Sequence, residues 1–485
     1  MKLNFKHFSY LLLAAGMLLV GCSKDSTTPE GDKPSGEPSS NNSLNSFSFK
    51  AQKNSSISSN VTGVSGAGII YITVKDGVNL STLVPSFQIH EKAVAKVDGK
   101  VIKSDSSVVD FSKTVTITVT AENGSSASYM VLAKNGNITI DKKIYNFMVR
   151  HNIPGISAAV SKDEQTVYVG AYGFADKSRK KRVNDSTLFR LASMSKQHAA
   201  IAIMTLCEKG LISLDDTVFG ENGILAKEYG NEMHSSWKSI TLRDLLSHTS
   251  GISEDCTFPS VSGYSGMPIR DRITRLMMER EKITKYSRGT HDYNNANFSI
   301  LGIVVESVTG KKFMQYLKED VYGPIGIEDI YGGNNDESET MENETIYYGQ
   351  DGKNPYGNNV EEGVAAGGVV ASTPALMKLM AHIDGQPKVT DILRPETINE
   401  MCTAKAGMTN TSGNAYKKYA LGWRCNYTDY PSWVAFHGGT LAGVCTIWAR
   451  SKTNVNGVIL CNSRSYNMSI DDEMWDILEE IQAMF

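Results

Sequence analysis

The chain contains no apolar run of the roughly 20 residues that a bilayer-spanning helix requires, so a transmembrane helix is not expected. No block of lysine and arginine stands out. The net charge is −3 and the pI near 6.3, so nucleic acid is not an expected partner. There is no H-E-x-x-H pair and no glycine-rich phosphate loop. That removes the usual sequence grounds for a zinc hydrolase or a nucleotide-binding enzyme, and no metal or cofactor is called for. Cysteine is scarce, at seven residues, and no internal repeat is visible. What is present is ordinary globular composition, 41% hydrophobic and 21% charged over 485 residues, long enough for more than one domain.

The first residues read as a targeting segment. Lys2 and Lys6 give a short positive region and Leu11 to Val20 an apolar core. Leu19-Val20-Gly21-Cys22 is then followed at once by polar sequence. Residues 1–22 resemble a bacterial lipoprotein signal, with Cys22 as the residue lipidated after cleavage. This implies attachment to a membrane through an N-terminal lipid anchor, in the bacterial cell envelope at the outer membrane, with the periplasmic or exterior face left open. Residues 23–45 are nearly all polar, proline or glycine and read as a flexible linker. Export permits disulfides among the remaining cysteines. Cys445 and Cys461 fall nearly opposite each other if Val444–Arg450 and Gly457–Cys461 form a hairpin around SKTNVN. Free core thiols are the favoured reading, because opposed cysteines bond only in suitable geometry.

Residues 46–134 have an all-β texture. Gly68–Lys75, Phe87–His90, Val108–Phe111, Thr114–Thr120 and Ala127–Leu132 read as strands, with Asn123-Gly124 marking a hairpin between the last two. The expectation is a small antiparallel sandwich, which resembles the immunoglobulin-like modules near the N-terminus of surface lipoproteins. It holds no catalytic constellation. A spacer role is expected, with glycan or protein binding as the alternative. Residues 135–485 switch to mixed texture. Helices are predicted at 140–150, 194–209, 241–247, 268–281, 296–308, 312–320 and 469–484, and strands at 156–160, 166–172 and as a pair over 444–461. Strands at both ends with helices between predict one α+β domain whose sheet joins distant parts of the chain.

Three S-x-x-K matches occur: Ser178/Lys181 in a charged stretch, Ser235/Lys238 in a polar one, and Ser193/Lys196 at the mouth of an apolar helix that ends at Gly210. The chemistry needs such a pair. A serine hydroxyl is a poor nucleophile without a base in reach, and residues at i and i+3 share one helix face. A lysine stripped of its proton by burial can be that base. A serine at a helix start also offers its own amide to developing negative charge. Spacing alone proves little, and the neighbours carry the case. Leu242 to Gly251 reads LRDLLSHTSG, Tyr293-Asn294-Asn295 lies in RGTHDYNNANFSILG, Gly367-Gly368 in AAGGVVAS, and His437-Gly438-Gly439 in VAFHGGTLAG.

In this order the motifs resemble the class C β-lactamase-like serine hydrolases, the group that includes penicillin-binding D,D-peptidases, D-aminopeptidases and related esterases. The resemblance covers residues 138–485. It implies that family's β-lactamase/D,D-peptidase-like fold, an antiparallel sheet flanked by helices plus a helical subdomain. It also implies roles. Ser193 attacks the carbonyl and is acylated, and Lys196 takes or relays its proton. Tyr293, as a phenolate or a hydrogen-bonded phenol, passes a proton to the leaving group and then activates water. Asn295 holds the substrate amide or the lysine. His437 stands where many relatives carry lysine. Gly438 and Gly439 let substrate backbone approach an edge strand, and the amides of Ser193 and Thr440 form the oxyanion hole. His248 is expected to be structural, positioning the loop before Gly251, and Tyr419 to Trp423 to shape the site wall. His291 is left open. The sequence departs from the pattern at Ser287-Arg288-Gly289, where relatives carry Ser-Pro-Gly. Arg288 there either meets an anionic substrate or is solvated.

The leading expectation is a lipid-anchored serine hydrolase that cleaves an amide or ester through an acyl-enzyme. D-amino-acid peptides, β-lactams and small acyl esters are the candidate substrates. Histidine at 437 favours peptidase or esterase relatives over a dedicated β-lactamase. A non-catalytic protein that captures muropeptides or surface ligands is the alternative, opposed by the joint presence of Ser193, Lys196 and Tyr293. An adhesin whose sandwich does the binding is a further one. Substrate choice is assigned to the insertions near 253–270 and 331–362.

Overall fold

The computed structural model describes residues 38–252, 254–258, 266–278 and 288–485. Cys22, the rest of the targeting segment, most of the linker, Ser287 and residues 259–265 lie outside the described residues.

The N-terminal strands form two sheets. One has six strands, ordered Val64–Gly66, Ile69–Val74, Ser126–Asn135, Val115–Thr120, Val94–Val97 and Lys100–Ile102. The other has three, ordered Val61–Thr62, Leu44–Phe49 and Pro85–Ile89. Val115–Thr120 buries every second residue, the mark of a half-covered sheet. Ile69–Val74 is buried throughout. Ile70 and Ile72 enter the core between the sheets, whereas Ile69 and Tyr71 pack on the helix Ile138–Arg150. That two-sided burial explains the unbroken apolar run.

The structure corrects the sandwich in two places. Ile69–Val74 pairs with Ser126–Asn135 in parallel, not antiparallel. The chain between them detours through Pro85–Ile89 in the other sheet, which supplies the long connection that parallel pairing needs. Val108–Phe111 is not a strand: it makes a single bridge, Leu83 to Val109. Phe111 instead anchors the core edge-on to Phe47 and Phe49, with ring centroids 5.8 and 5.1 Å away.

From Ile138 the chain is α+β. A seven-stranded antiparallel sheet runs Lys181–Arg182, Gln165–Asp176, Gly155–Lys162, Val455–Cys461, Val444–Ser451, Trp433–Leu441 and Arg424–Cys425. The first and last segments of this region are therefore neighbours in one sheet. Cys445 and Cys461 sit opposite each other in the register, and both are free thiols. One face of the sheet is covered by Ile138–Arg150 and the C-terminal helix Ile470–Gln482. The other faces Ser195–Glu208, a helix buried from Ser195 to Leu206 and wedged between the sheet and the helical part of the fold. The helix predicted at 312–320 is shorter: Phe313–Tyr316 is α-helical and the chain then widens into a π-type turn to Tyr322. Further helices form at Thr373–Ala381 and Pro395–Cys402, each with proline in its first turn.

The N-terminal sheets meet the rest of the chain through a buried polar knot. Asp141, fully buried, accepts hydrogen bonds from Thr73 (2.8 Å), Tyr172 (2.7 Å) and Tyr168 (3.1 Å). Its carboxylate also pairs with the Lys134 ammonium at 3.2 Å.

Candidate active site

Ser193 lies in a single tight turn, Ala192–Met194, that leads directly into Ser195–Glu208. The turn is fastened from outside. The Leu191 amide donates to the Val369 carbonyl at 2.8 Å, and the Leu191 carbonyl accepts from the Thr446 hydroxyl at 2.8 Å. Ala192 takes a left-handed conformation, φ 50°, which a residue with a Cβ adopts only when its surroundings enforce it.

One turn on, Lys196 is fully buried. Its Nζ donates to Ser193 Oγ (3.2 Å), Asn295 Oδ1 (2.7 Å) and the Ala366 carbonyl (2.7 Å). Burial away from water pulls its pKa from 10.5 to about 7, against a nearby Asp255 that favours the charged form. The Tyr293 hydroxyl donates to the same Ser193 Oγ at 2.8 Å. Burial pushes this phenol well above its ordinary value, so of the two forms considered for Tyr293 the neutral phenol fits.

Asn295 begins the helix Asn295–Thr309, capped by the Asn294 side chain. Its carbonyl oxygen holds Lys196, and its amide donates to Asp255 Oδ2 at 2.6 Å. His248, also left-handed at φ 57°, accepts at Nδ1 from the Asn294 amide (3.2 Å) and the Asn297 side chain (3.1 Å). It thereby ties the LLSHTSG turn to the Tyr293 loop. His291 stacks on Tyr416, ring centroids 4.3 Å apart.

His437 lies on Trp433–Leu441 and faces Tyr293, with ring centroids 6.2 Å apart. Its Nδ1 is 2.6 Å from the Gly438 carbonyl and its Nε2 is 3.0 Å from the Tyr419 hydroxyl. Burial, with Arg424 and Lys196 nearby, holds this imidazole well below its usual range. It is neutral, with its proton on Nδ1, and cannot replace a lysine as a cation. The cation present is Arg424, in the short strand beside it. Arg424 donates to Tyr427 at 2.7 Å, its Nε is buried without a partner, and no carboxylate pairs with it among the described residues. Its charge reaches Lys196, Tyr293 and His437.

One reading needs correction. Gly439 does not serve substrate approach: it is buried, and a Cβ there would lie 2.1 Å from the Leu191 carbonyl oxygen and 2.2 Å from Thr446 Oγ1. Its absent side chain lets the strand close on the Ser193 turn. Gly438 is less confined, its nearest neighbour being Trp475 at 3.3 Å. Arg288 keeps a side chain that is 44% exposed, in line with the solvated alternative, but its guanidinium is not unpartnered. It is ion-paired with Asp244, a buried carboxylate. The insertion at 331–362 packs against the short strand Phe189–Arg190 that leads into the Ser193 turn. Arg190, buried, stacks on Tyr347 and Tyr356 at 4.4 and 4.9 Å and donates to the carbonyls of Pro355 and Asn334.

The sequence did not point to Asp255, Arg424 or the Ala366 carbonyl. The hints available were indirect: Arg424 directly follows the YALGW segment, Ala366 falls in AAGGVVAS and Asp255 in the insertion near 253–270.

A lysine on a buried helix and a tyrosine loop meet at the oxygen of the serine in the turn before that helix, in an α+β fold of the β-lactamase and D,D-peptidase kind. The chain belongs to the beta-lactamase family, whose model matches residues 140–480. A second model, described as SGBP, N-terminal, matches residues 45–133. Protein flp of Staphylococcus aureus (strain N315) is 24% identical over 339 residues, covering 69% of this chain and 64% of that protein. The match thus spans just under two thirds of that relative. Among solved structures, D-alanine carboxypeptidase AmpC from Burkholderia cenocepacia superposes with a TM-score of 0.55 at 20% identity, over 72% of this chain and 98% of that one. A class C beta-lactamase gives a TM-score of 0.57 at 20% identity, over 71% of this chain and 95% of that one.

Proposed function

We propose that the protein is a serine hydrolase that cleaves amides or esters through an acyl-enzyme on Ser193, with D-peptides or related acyl compounds ending in a carboxylate as substrates. One observation carries this reading: Ser193 Oγ lies within hydrogen-bond reach of both Lys196 Nζ and Tyr293 Oη. Neutral Lys196 takes the Ser193 proton as Oγ attacks the carbonyl. The Tyr293 phenol, bonded to the same oxygen, gives a proton to the leaving atom and is reprotonated from the Lys196 side. In the second half-reaction the same pair activates water against the acyl-enzyme. The amides of Ser193 and Thr440 receive the oxyanion. Arg424, a cation lacking a carboxylate of its own, receives the substrate's. A D-alanine carboxypeptidase among the structural neighbours favours a peptide substrate, and a class C beta-lactamase keeps β-lactams as the second reading. Residues 1–22 support lipidation at Cys22 and a place in the cell envelope. Residues 46–134 are read as an immunoglobulin-like spacer and 135–485 as the hydrolase.

The test is intact-mass spectrometry of the full chain after a fluorophosphonate, followed by panels of D-Ala-D-Ala peptides, short acyl esters and β-lactams. A single adduct on Ser193 with turnover of one panel is expected. A folded protein without an adduct defeats the reading.

Two predictions follow from the electrostatics. The base must be neutral, and Lys196 loses its proton near pH 7. kcat/KM should therefore rise about tenfold per pH unit below that point and level off above it. Lys196→Arg, which stays protonated, should lack the rise. Arg424→Ala should raise KM for a peptide acid about 10- to 100-fold, the worth of a hydrogen bond to a charged group, and leave the matching peptide amide within about twofold. Equal effects on acid and amide would remove Arg424 from carboxylate recognition.

A further inference from the structure

The strand that carries Thr440 is poorly supported where it matters. Arg424–Cys425 pairs only with Phe436 and Ala435, so among the described residues no strand pairs with that edge from His437 to Leu441. On its other side Thr440 lies opposite Cys445. Side chains alternate along the strand. His437 and Gly439 face the Ser193 helix, while Phe436, Gly438 and Thr440 face the C-terminal helix.

On that second face sits Arg464, 5% exposed. Its Nη1 donates to Thr440 Oγ1 at 2.6 Å and to Asp471 Oδ1 at 3.3 Å, and its Nη2 lies 3.1 Å from Asp471 Oδ2. Asp471 belongs to the first turn of Ile470–Gln482 and also accepts from the Cys445 thiol at 3.3 Å. One planar guanidinium therefore bridges the Thr440 strand and a helix, and the same carboxylate grips the neighbouring strand. A rigid fork of this kind fixes direction as well as distance.

We propose that Arg464 is a positioning residue for acyl transfer: it holds Thr440 so that the Thr440 amide stays aimed at the oxygen of the tetrahedral intermediate. It acts through Thr440 and does not touch the reacting atoms. This rests on the acyl-enzyme reading above. The expected signature is selective. An oxyanion donor displaced by a fraction of an ångström loses transition-state stabilisation while ground-state binding is largely kept.

The test is a cycle in the full-length chain of Thr440→Val, which keeps shape and amide but removes the acceptor, and Arg464→Gln. Each should lower kcat about 10- to 100-fold with KM within about twofold. Each should also weaken binding of a boronic acid, which mimics the tetrahedral adduct on serine, by the same factor as kcat. The double variant should be no worse than the worse single one. Thr440→Ser, which retains the oxygen, should recover most of the wild-type rate. Thr440→Val with wild-type kcat and boronate affinity overturns the proposal, and so does an additive double variant. Thr440→Val is nearly isosteric, so the test survives if Arg464→Gln fails to fold. Wild-type activity that does not depend on Ser193 removes the acyl-enzyme reading and this inference with it. Ser193-dependent activity that Thr440→Val leaves intact removes this inference alone.

Discussion

Ser193→Ala is expected to lower turnover of the substrate that the wild type cleaves by roughly 10⁴-fold or more, with the fold intact. Ser193 is only partly buried and its side chain bears on the site alone: its hydroxyl receives Lys196 and Tyr293. Losing that oxygen removes the nucleophile without opening a cavity. Lys196→Ala should approach the same loss by a different route. The Asn295 and Ala366 oxygens lose their shared donor, and Ser193 loses its base. Because serine and lysine act as a unit, the double variant should be scarcely slower than the worse single one. Thermal unfolding separates the routes. Ser193→Ala should melt with the wild type, whereas Lys196→Ala leaves buried oxygens unpaired at about 1–3 kcal/mol and should melt lower. Retained turnover in Ser193→Ala would place the chemistry elsewhere.

The serine–lysine pair was legible because a helix converts spacing into proximity. An interval of three residues puts both groups on one face, and an apolar continuation marks the helix as buried. Tyr293 and Asn295 were legible only as part of an ordered set, since nothing local says that a loop about 100 positions along the chain returns to Ser193. The same limit explains what was missed. Asp255 matters through Asn295, and Arg424 through the absence of a carboxylate beside it. The Ala366 carbonyl would be there whatever side chain stood at that position. The partner of Arg288 was not legible, because Asp244 lies 44 positions away in the chain. Gly439 was given the right location and the wrong neighbour: the contact that excludes a Cβ comes from the Leu191 backbone, and only the folded chain brings the two together.

Lys134→Met is expected to be among the most destabilising substitutions outside the site, at about 3–5 kcal/mol, or a fall in Tm on the order of 10 °C. Asp141 has no exposure, and Lys134 is the one cation paired with it among the described residues. Thr73, Tyr168 and Tyr172 supply hydrogen bonds but no charge. Methionine would keep much of the lysine stem's packing over Tyr172 while leaving a carboxylate uncompensated in the interior. Asp141→Asn should cost less, because the Lys134 side chain is 19% exposed and its ammonium can turn towards water. The pair Lys134→Met with Asp141→Leu should recover part of the loss, since a buried ion pair and an apolar replacement are often close in stability. The knot also joins two parts of the chain. Thr73 and Lys134 belong to the N-terminal sheet, and Asp141, Tyr168 and Tyr172 to the α+β region. Tyr71 adds a stacked contact on Tyr145 at 5.0 Å. A chain begun at residue 135 would lose Lys134, Thr73 and Tyr71 together and expose Asp141, Ile140 and Tyr145, so it is expected to be poorly soluble. Denaturation followed by tryptophan fluorescence and by far-ultraviolet circular dichroism should show one shared transition in the wild type. Two separate transitions, or a soluble truncated chain with wild-type Tm, would mean that the N-terminal sheets hang from the hydrolase as an independent module.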